Sequence, residues 1–310
     1  MPNGLMVCEY NLLTDIHIAT QIHEIGKNYG AGIVRFRQCL RDAGSKTPTL
    51  ILGDIPHTRC AGNYRDPADI LRNQAKAREV IGDKKVYAIP GNHDSEDFIA
   101  EVNGQANGFV PYAIVGKGHR ILMLNSTPTI EGIRYNHGGF DDYHLKWIKG
   151  QLRIAGRKNE IVYICLHNPP FHKDFHPQPW RGVETFEDFL VTHREAGGKL
   201  GAIFCGHLHK MYQGEFAYMP VFCLPPVGPW FEQKESGCGA HHLVATPPAV
   251  ARLRIRDDGG FNLKIGMVYE YGIKYLSFND ARREYRRIIQ NALNPQKTYA
   301  ALSAQCAFSI

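Results

Sequence analysis

The sequence repeats one local pattern at five places: a short apolar run that ends in side chains able to bind a metal ion. The runs at residues 49–52, 85–90, 161–166 and 200–205 are four to six residues long and rich in Val, Ile or aromatic residues, which favours buried strands over helices. The first run, at residues 12–13, is less regular. In chain order, the polar groups at the ends of these runs are Asp15 and His17, then Asp54, then Asn92, His93 and Asp94, then His167, and finally His207 and His209. A chain with this pattern must fold so that several strands end in polar loops.

Helix-like segments lie between these strands. The apolar spacing predicts amphipathic helices over residues 69–81 and 141–152. A further helix is predicted over residues 279–293, where Asn279 can cap the start and Pro295 follows the end. Strands that alternate with helices predict an α/β layered fold, in which ligands bind in loops beyond the carboxyl ends of the strands. The five polar clusters fall at those positions.

The pattern changes after residue 210. Residues 252–256 and 261–265 alternate between apolar and polar side chains on either side of a Gly-rich turn, which predicts a β-hairpin with one buried face. Residues 231–250 are rich in Gly, His and Pro, and we interpret them as a long loop near the site.

The polar clusters contain the residue types that a metal site needs. Imidazole and carboxylate are good ligands for first-row metals, and one intervening residue lets Asp15 and His17 face a single centre. Gly53 allows a tight turn before Asp54, whose carboxylate has two oxygens and can bridge two cations. Cations held about 3.5–4 Å apart can clamp the attacking and leaving oxygens of a phosphoryl displacement. A lone His or Gly-Asp pair carries little information, but five such clusters in order indicate a metal or catalytic site.

The order D-x-H, G-D, G-N-H-D, H and G-H-x-H resembles the signature of the calcineurin-like metallophosphoesterases, over about residues 5–230. Within that superfamily the chain is most similar to the bacterial class III cyclic-nucleotide phosphodiesterases, and residues 138–152, with Trp147, resemble the helix that follows their central strands. The resemblance implies a four-layer αββα sandwich of two mixed β-sheets flanked by helices. We expect a catalytic domain over residues 1–275, and a C-terminal helix and tail over residues 276–310.

The resemblance also implies the role of each site residue. Two metal ions, divalent or of mixed valence and drawn from Fe, Mn and Zn, would be bound, with a bridging hydroxide that attacks phosphorus. His93 would face the phosphate and stabilise charge or protonate the leaving oxygen, and Asp94 would orient His93. The implied ligands are Asp15, His17, Asp54 and His209 for the first ion, and Asp54, Asn92, His167 and His207 for the second.

Four further residues are candidate substrate contacts. Purple acid phosphatases carry a tyrosine three residues after the bridging Asp, and His57 at that position here argues against that branch. Asn63 and Tyr64 follow the same loop, and a base could stack on Trp180. For each of the four, a plain surface or packing role stays an open alternative.

Composition limits the partners of the chain. The net charge of +6, from 36 Lys and Arg against 30 Asp and Glu, suits a small phosphate-ester substrate and is too weak to indicate specific nucleic-acid binding. We expect no membrane span, since no run approaches the roughly 20 apolar residues required, and residues 1–10 lack the pattern of a signal peptide. The eight cysteines form no C-x-x-C pair, which favours buried reduced thiols in a cytoplasmic protein. A homodimer is left open.

The leading functional hypothesis is a phosphodiesterase, with cyclic nucleotides among its candidate substrates. A phosphomonoesterase acting on nucleotides or phosphoproteins would use the same metal site. A non-catalytic interaction scaffold would be expected to lose a ligand or His93, and this chain keeps all of them.

Overall fold

A computed structural model describes residues 7–20, 32–44, 46–57, 59–60, 63–64, 66–130, 133–134, 138–170, 180–233, 241–244, 246–269 and 272–293. In chain order the elements are β1 (Val7–Leu13), α1 (Gly32–Ala43), β2 (Thr49–Ile51), β3 (Arg59–Cys60), β4 (Asn63–Tyr64), α2 (Pro67–Ile81), β5 (Val86–Ala88), α3 (Glu96–Val102), β6 (Tyr112–Gly116), β7 (His119–Met123), β8 (Thr129–Ile130), β9 (Ile133–Arg134), α4 (Asp142–Lys158), β10 (Ile161–Cys165), α5 (Val183–Glu195), β11 (Lys199–Cys205), β12 (Tyr212–Phe216), β13 (Met219–Cys223), β14 (Trp230–Gln233), β15 (His241–Val244), β16 (Ala249–Arg256), β17 (Phe261–Tyr269), β18 (Gly272–Ser277) and α6 (Phe278–Leu293).

Two six-stranded sheets lie at the centre of the fold. The first has the spatial order β18-β17-β16-β1-β2-β5, and the second has the order β12-β13-β11-β10-β7-β6. In the first sheet β1, β2 and β5 run parallel, while β16, β17 and β18 join them as an antiparallel ribbon. In the second sheet β7, β10, β11 and β13 run parallel, between antiparallel edge strands. Both sheets are therefore mixed.

Alternating side chains of the central strands separate the layers. In β10, Tyr163 and Cys165 belong to the core shared with the first sheet, whereas Val162 and Ile164 pack beneath α4 and α5. Successive strand residues point to opposite faces, so one strand serves two cores. On the first sheet, the fully buried Phe36 of α1 belongs to the shared core. The predicted α/β sandwich of two mixed sheets flanked by helices is confirmed.

The predicted helices are present, with small changes at their ends. The first, α2, begins at Pro67 because the Asp66 side chain accepts a hydrogen bond from the Ala68 amide, which caps the helix. The second, α4, continues beyond the predicted end to Lys158. The third, α6, packs against β17 and β18, and Tyr285 on it is fully buried. The predicted β16–β17 hairpin is also present.

The interpretation of residues 231–250 as a long loop is wrong. β14 pairs with β15 in antiparallel register, Trp230 opposite Val244, and β16 begins at Ala249. The Gly and Pro content of the segment concealed two short stretches of strand-forming residues, Trp230 with Phe231 and Leu243 with Val244.

Three further expectations concern membrane spans, the cysteines and the division of the chain. No helix in the described part of the chain is long and apolar enough to cross a membrane. The cysteines with described side chains, Cys8, Cys39, Cys165, Cys205 and Cys223, are free thiols. The division of the chain at residue 275 stays a prediction, and the tail after residue 293 lies outside the described residues.

The helix-facing core gives a direct stability test. Replacing Phe186 of α5, which is fully buried, with Ala should lower the free energy of unfolding by about 3–5 kcal/mol through lost contacts and a cavity. Phe189 on the same helix is only half-buried, so Phe189→Ala is the matched control and should cost clearly less. Urea denaturation of both variants measures the difference, and equal losses would contradict this placement of α5.

Candidate metal centre

The polar clusters meet because the parallel strands that precede them end at the same edge of the fold. Asp15 follows β1 and Asp54 follows β2 in the first sheet, while His167 follows β10 and His207 follows β11 in the second. Within the first sheet the Asp15 amide donates to the Gly53 carbonyl at 3.1 Å. The carboxyl ends of the two sheets thus supply side chains to one site, as expected for ligands of layered α/β folds.

Glycine permits the closest approaches between these loops. An added Cβ at Gly91 would lie 2.2 Å from Asp54 Oδ1, and one at Gly206 would lie 1.8 Å from Thr14 Oγ1 and 2.5 Å from Asp15 Oδ2. These separations are far shorter than any real contact, so the loops can come together only where the side chain is a hydrogen atom.

Four side chains form a first cluster, whose ligand atoms lie within 4.8 Å of one another. The Nε2 atoms of His17 and His209 are 2.8 Å apart. His17 Nε2 is 3.5 Å from Asp54 Oδ2, and His209 Nε2 is 3.4 Å from Asp15 Oδ1. All four residues are buried. A ring nitrogen or a carboxylate oxygen from each side chain therefore faces one point.

A second cluster shares the same aspartate oxygen. His167 Nε2 lies 3.2 Å from Asp54 Oδ2 and 3.1 Å from Asn92 Oδ1. His207 Nδ1 lies 2.8 Å from the same Asn92 oxygen. Asp54 Oδ2 thus stands between an imidazole of the first cluster and an imidazole of the second.

Backbone carbonyls determine which ring nitrogens face the clusters. His167 Nδ1 lies 2.7 Å from the Leu52 carbonyl, and His209 Nδ1 lies 2.7 Å from the Pro229 carbonyl. A carbonyl only accepts, so each Nδ1 carries the proton, and the neutral ring leaves a lone pair on Nε2 toward the cluster. Ligands about 2.1 Å from an ion stand about 3.0–3.4 Å apart, close to the distances found here. The residues therefore fit a metal ion in each cluster.

The charges of the clusters also suit a cation. Burial is the largest single influence and raises the pKa of Asp54, but His167, His93 and His17 together outweigh it, and the pKa lies well below its ordinary value. Burial lowers the pKa of His167, yet the carboxylates of Asp54 and Asp15 and the Leu52 carbonyl together raise it to about 9. Burial, and then the adjacent His209, lower the pKa of His17 well below its ordinary value, which favours the neutral ring that binds metals. A buried carboxylate among imidazoles holds protons that a metal ion can replace.

The backbone of these side chains is strained. Five residues of the two clusters occupy the left-handed region, at φ 52° for Asp15, 52° for His17, 56° for Asp54, 69° for His207 and 51° for His209. Non-glycine residues seldom adopt this conformation, and where they do they concentrate at functional sites. The strain is consistent with a site whose ligand geometry outweighs local backbone preference.

Two further histidines lie at the edge of the first cluster. The His93 amide donates to Asp54 Oδ1 at 2.7 Å, and the His93 ring is edge-on to His17 at 4.7 Å. The His57 ring stacks on His93 with centroids 5.0 Å apart, and His57 Nδ1 is 3.0 Å from His17 Nδ1. The structure thus brings His57, a candidate on sequence alone, into contact with the site.

The orientation of His93 by Asp94, which the resemblance implies, stays a prediction, and the observed contacts of Asp94 are to the backbone. Its carboxylate accepts three backbone hydrogen bonds, from Asp54 at 2.6 Å, Ile55 at 2.9 Å and Gly91 at 2.8 Å. These bonds hold together the two turns that carry Asp54 and His93. The carboxylate therefore acts on the backbone, because its oxygens are already directed at these amides.

Trp180 is not a stacking surface for substrate. The side chain is only 4% exposed and packs edge-on against Phe140, with Phe186 behind it. An indole buried in the helix-facing core has no face left for a base. Asn63 and Tyr64 form β4, but their side chains are outside the described residues, so their contact with substrate stays a prediction.

Sequence reasoning missed residues that support the ligands. Thr14 Oγ1 donates to Asp15 Oδ2 at 2.8 Å. Ser126 Oγ accepts from the amides of His167 at 3.1 Å and Asn168 at 3.0 Å. Ser126 also follows a buried apolar run, residues 121–124, so the repeated pattern itself contained the signal. The carbonyls of Leu52 and Pro229 are far in sequence from the histidines that they orient, and they leave no local signal.

Comparison with known proteins agrees with this geometry. The family model described as calcineurin-like phosphoesterase matches residues 11–211. The chain belongs to this family. It is similar to a protein named probable cyclic nucleotide phosphodiesterase from Pseudoalteromonas sp. (strain SM9913), at 23% identity over 79% of this chain and 90% of that protein. It is also similar to acid sphingomyelinase-like phosphodiesterase 3b of Mus musculus, at 26% identity over 57% of this chain and 47% of that protein.

A solved structure shares the fold. The crystal structure of a dimetal phosphatase from Danio rerio matches with a TM-score of 0.52 and 14% identity, over 82% of this chain and 98% of that chain. The match to the family model confirms the predicted superfamily, and with the phosphodiesterase-named relatives it confirms the prediction of a hydrolase that acts on phosphate esters. The relatives named as cyclic nucleotide phosphodiesterases agree with the predicted relation to bacterial class III enzymes.

The close approach at Gly206 predicts a specific loss of metal. Gly206→Ala should push the Asp15 carboxylate out of the first cluster and reduce bound metal, measured by elemental analysis after gel filtration. Gly150→Ala is the control, since a Cβ there meets nothing within 4 Å and removes a glycine from the interior of α4. Unchanged metal content in Gly206→Ala would contradict the packing of these loops.

Proposed function

We propose that this chain is a dinuclear metal-dependent phosphodiesterase. The observation that carries the proposal is the position of Asp54 Oδ2, 3.5 Å from His17 Nε2 and 3.2 Å from His167 Nε2. One carboxylate oxygen is directed at two convergent ligand sets, which is the arrangement that a bridging ligand requires. The two clusters are the ligand sets for the two ions, and imidazole with carboxylate suits Fe, Mn or Zn.

The residues around the clusters have separate tasks. Two bound cations would lower the pKa of water toward neutrality and so supply the hydroxide nucleophile. Asp54 and Asn92 supply side-chain oxygens as ligands, while the carbonyls of Leu52 and Pro229 fix the rings of His167 and His209. The site therefore needs little rearrangement to bind a phosphate, since its groups are already oriented.

We propose that His93 and His57 act on the phosphate itself. His93 is half-buried beside His17 and is the proposed donor to the leaving oxygen. If His17 Nε2 is a ligand, its Nδ1 keeps the proton and donates to His57 Nδ1, 3.0 Å away. His57 Nε2 then carries the proton of that ring. His57 is thus a hydrogen-bond donor stacked beside His93, and we assign it to substrate binding.

The choice of a diester rests on the relatives. Both sequence relatives described above bear the names of phosphodiesterases, one of them for cyclic nucleotides. The same two clusters would serve a monoester, so a phosphomonoesterase acting on nucleotides or phosphoproteins is the competing function.

Substrate preference separates these functions. We expect kcat/KM for bis-p-nitrophenyl phosphate to exceed that for p-nitrophenyl phosphate by at least about tenfold, equivalent to about 1.4 kcal/mol in the barrier. Turnover of 2′,3′- and 3′,5′-cyclic AMP then tests the cyclic substrate class. A preference for the monoester would overturn the phosphodiesterase proposal, while loss of all activity on stripping the metal would be common to both.

The proposed task of His93 predicts a defect in chemistry without loss of metal. His93→Ala removes the ring but keeps the backbone amide that donates to Asp54, so both ions should stay bound. We expect kcat to fall by about 10²–10⁴-fold, the usual contribution of a general acid. The measurement pairs steady-state kinetics with metal analysis. If kcat is unaffected, His93 does not have this role.

A further inference from the structure

Residues 227–230, which lead from the loop after β13 into the first residue of β14, run along the first cluster. The Val227 amide donates to the Thr14 carbonyl at 3.0 Å, and the Gly228 amide donates to the Asp15 carbonyl at 2.8 Å. A Cβ on Gly228 would lie only 2.7 Å from that Asp15 oxygen. This segment is therefore packed directly against the loop that carries Asp15.

The same segment also holds a second ligand of the cluster, His209. The Pro229 carbonyl accepts the Nδ1 proton of His209 at 2.7 Å, and this bond directs His209 Nε2 at His17 and Asp15. A partner of this kind fixes the tautomer and the ring orientation of a metal-binding histidine. Movement of Pro229 would turn the His209 ring away from the cluster.

Two helices hold the segment from outside. Trp230 is 5% exposed and stacks on the fully buried Tyr285 of α6, with centroids 5.1 Å apart and planes inclined by 19°. Tyr285 is itself anchored through its hydroxyl, which donates to the Pro247 carbonyl at 2.8 Å. From α1, Arg35 Nη1 donates to the Gly228 carbonyl at 3.1 Å.

Residues 227–230 and Tyr285 lie beyond residue 211, where the match to the family model ends.

We propose that Tyr285 and Arg35 are positioning residues for the first metal site. They act on His209 through residues 228–230: Tyr285 fixes Trp230, Arg35 fixes Gly228, and the Pro229 carbonyl between them fixes the imidazole. The inference rests on the proposed function only in taking His209 as a metal ligand. It assigns to α6 a part in metal binding in addition to its packing on β17 and β18.

A purely structural role for Tyr285 has a different signature. If the Trp230 stack serves only the core, removing it lowers stability and leaves the affinity for metal unchanged. If the stack positions His209, removing it weakens the cluster that contains His209 and spares the other cluster. The second cluster, around Asn92 and His167, thus serves as an internal reference in the same molecule.

The test is a Co²⁺ titration of the full chain after removal of metal, followed by visible absorption and calorimetry. Tyr285→Leu should weaken binding at one of two sites by about 10–100-fold, as expected when the support of a ligand is lost. Tyr285→Phe keeps the ring stack and should bind close to wild type. Phe278→Leu is the matched control, because Phe278 is also buried on α6 but contacts Phe222. Equal destabilisation of Tyr285→Leu and Phe278→Leu, with wild-type Co²⁺ affinity in both, would overturn the proposal.

A second variant covers the case in which Tyr285→Leu does not fold. Arg35→Met removes the hydrogen bond that a half-buried side chain donates to Gly228, and should weaken the same Co²⁺ site. Arg37→Met is its control, since Arg37 lies on the same helix, is exposed and pairs with Glu79. Identical Co²⁺ binding by these two variants would likewise overturn the proposal. The dinuclear proposal is tested separately by the number of Co²⁺ ions that the wild-type chain binds. One ion instead of two would contradict it.

Discussion

The buried carboxylate of Asp54 lies between imidazoles from opposite halves of the molecule. His17 follows β1 of the first sheet, and His167 follows β10 of the second, yet both rings lie within 3.5 Å of the same oxygen. Burying a carboxylate away from water costs free energy unless positive charge or hydrogen-bond donors surround it. The two sheets can therefore pack together at this point only if the charge of Asp54 is neutralised. Protonated histidines can neutralise this charge. Two metal cations can also neutralise it, and the histidine ligands then stay unprotonated at the nitrogens that face the ions.

The turns around this carboxylate are held by hydrogen bonds that offset their strain. Left-handed conformations of residues such as Asp54 and His207 cost of order 1–3 kcal/mol each. Asp94 counters that cost by accepting the amides of Asp54, Ile55 and Gly91, although burial and the charge of Asp54 raise its pKa to about 7. The motif G-N-H-D thus combines two functions. Asn92 and His93 face the site, while Asp94 fixes the backbone that presents them.

Local patterns in the sequence predicted an α/β layered fold with polar clusters at the strand ends, while the four-layer sandwich and the role of each site residue came from the family resemblance. Buried strands ending in Asp, Asn or His are visible in the chain, and parallel strands bring such ends together. Trp180 could not be placed in the same way: a loop tryptophan has the same local sequence whether it is exposed or packed on Phe140. The Pro229 contact to His209 was equally hidden, since a backbone carbonyl leaves no residue-type signal. These features are set by tertiary packing.

The two regions of the chain contribute different things to the centre. Residues 11–211, matched by the family model, supply every candidate ligand, whereas the Pro229 carbonyl and its support from Tyr285 come from the region beyond. A ligand set tolerates little change, because each atom must point at an ion. The packing behind Pro229 can change by one side chain without altering any ligand. Affinity at the cluster with His209 can therefore be adjusted from α6, while the cluster with Asn92 and His167, held by Leu52 and Ser126, stays as it is.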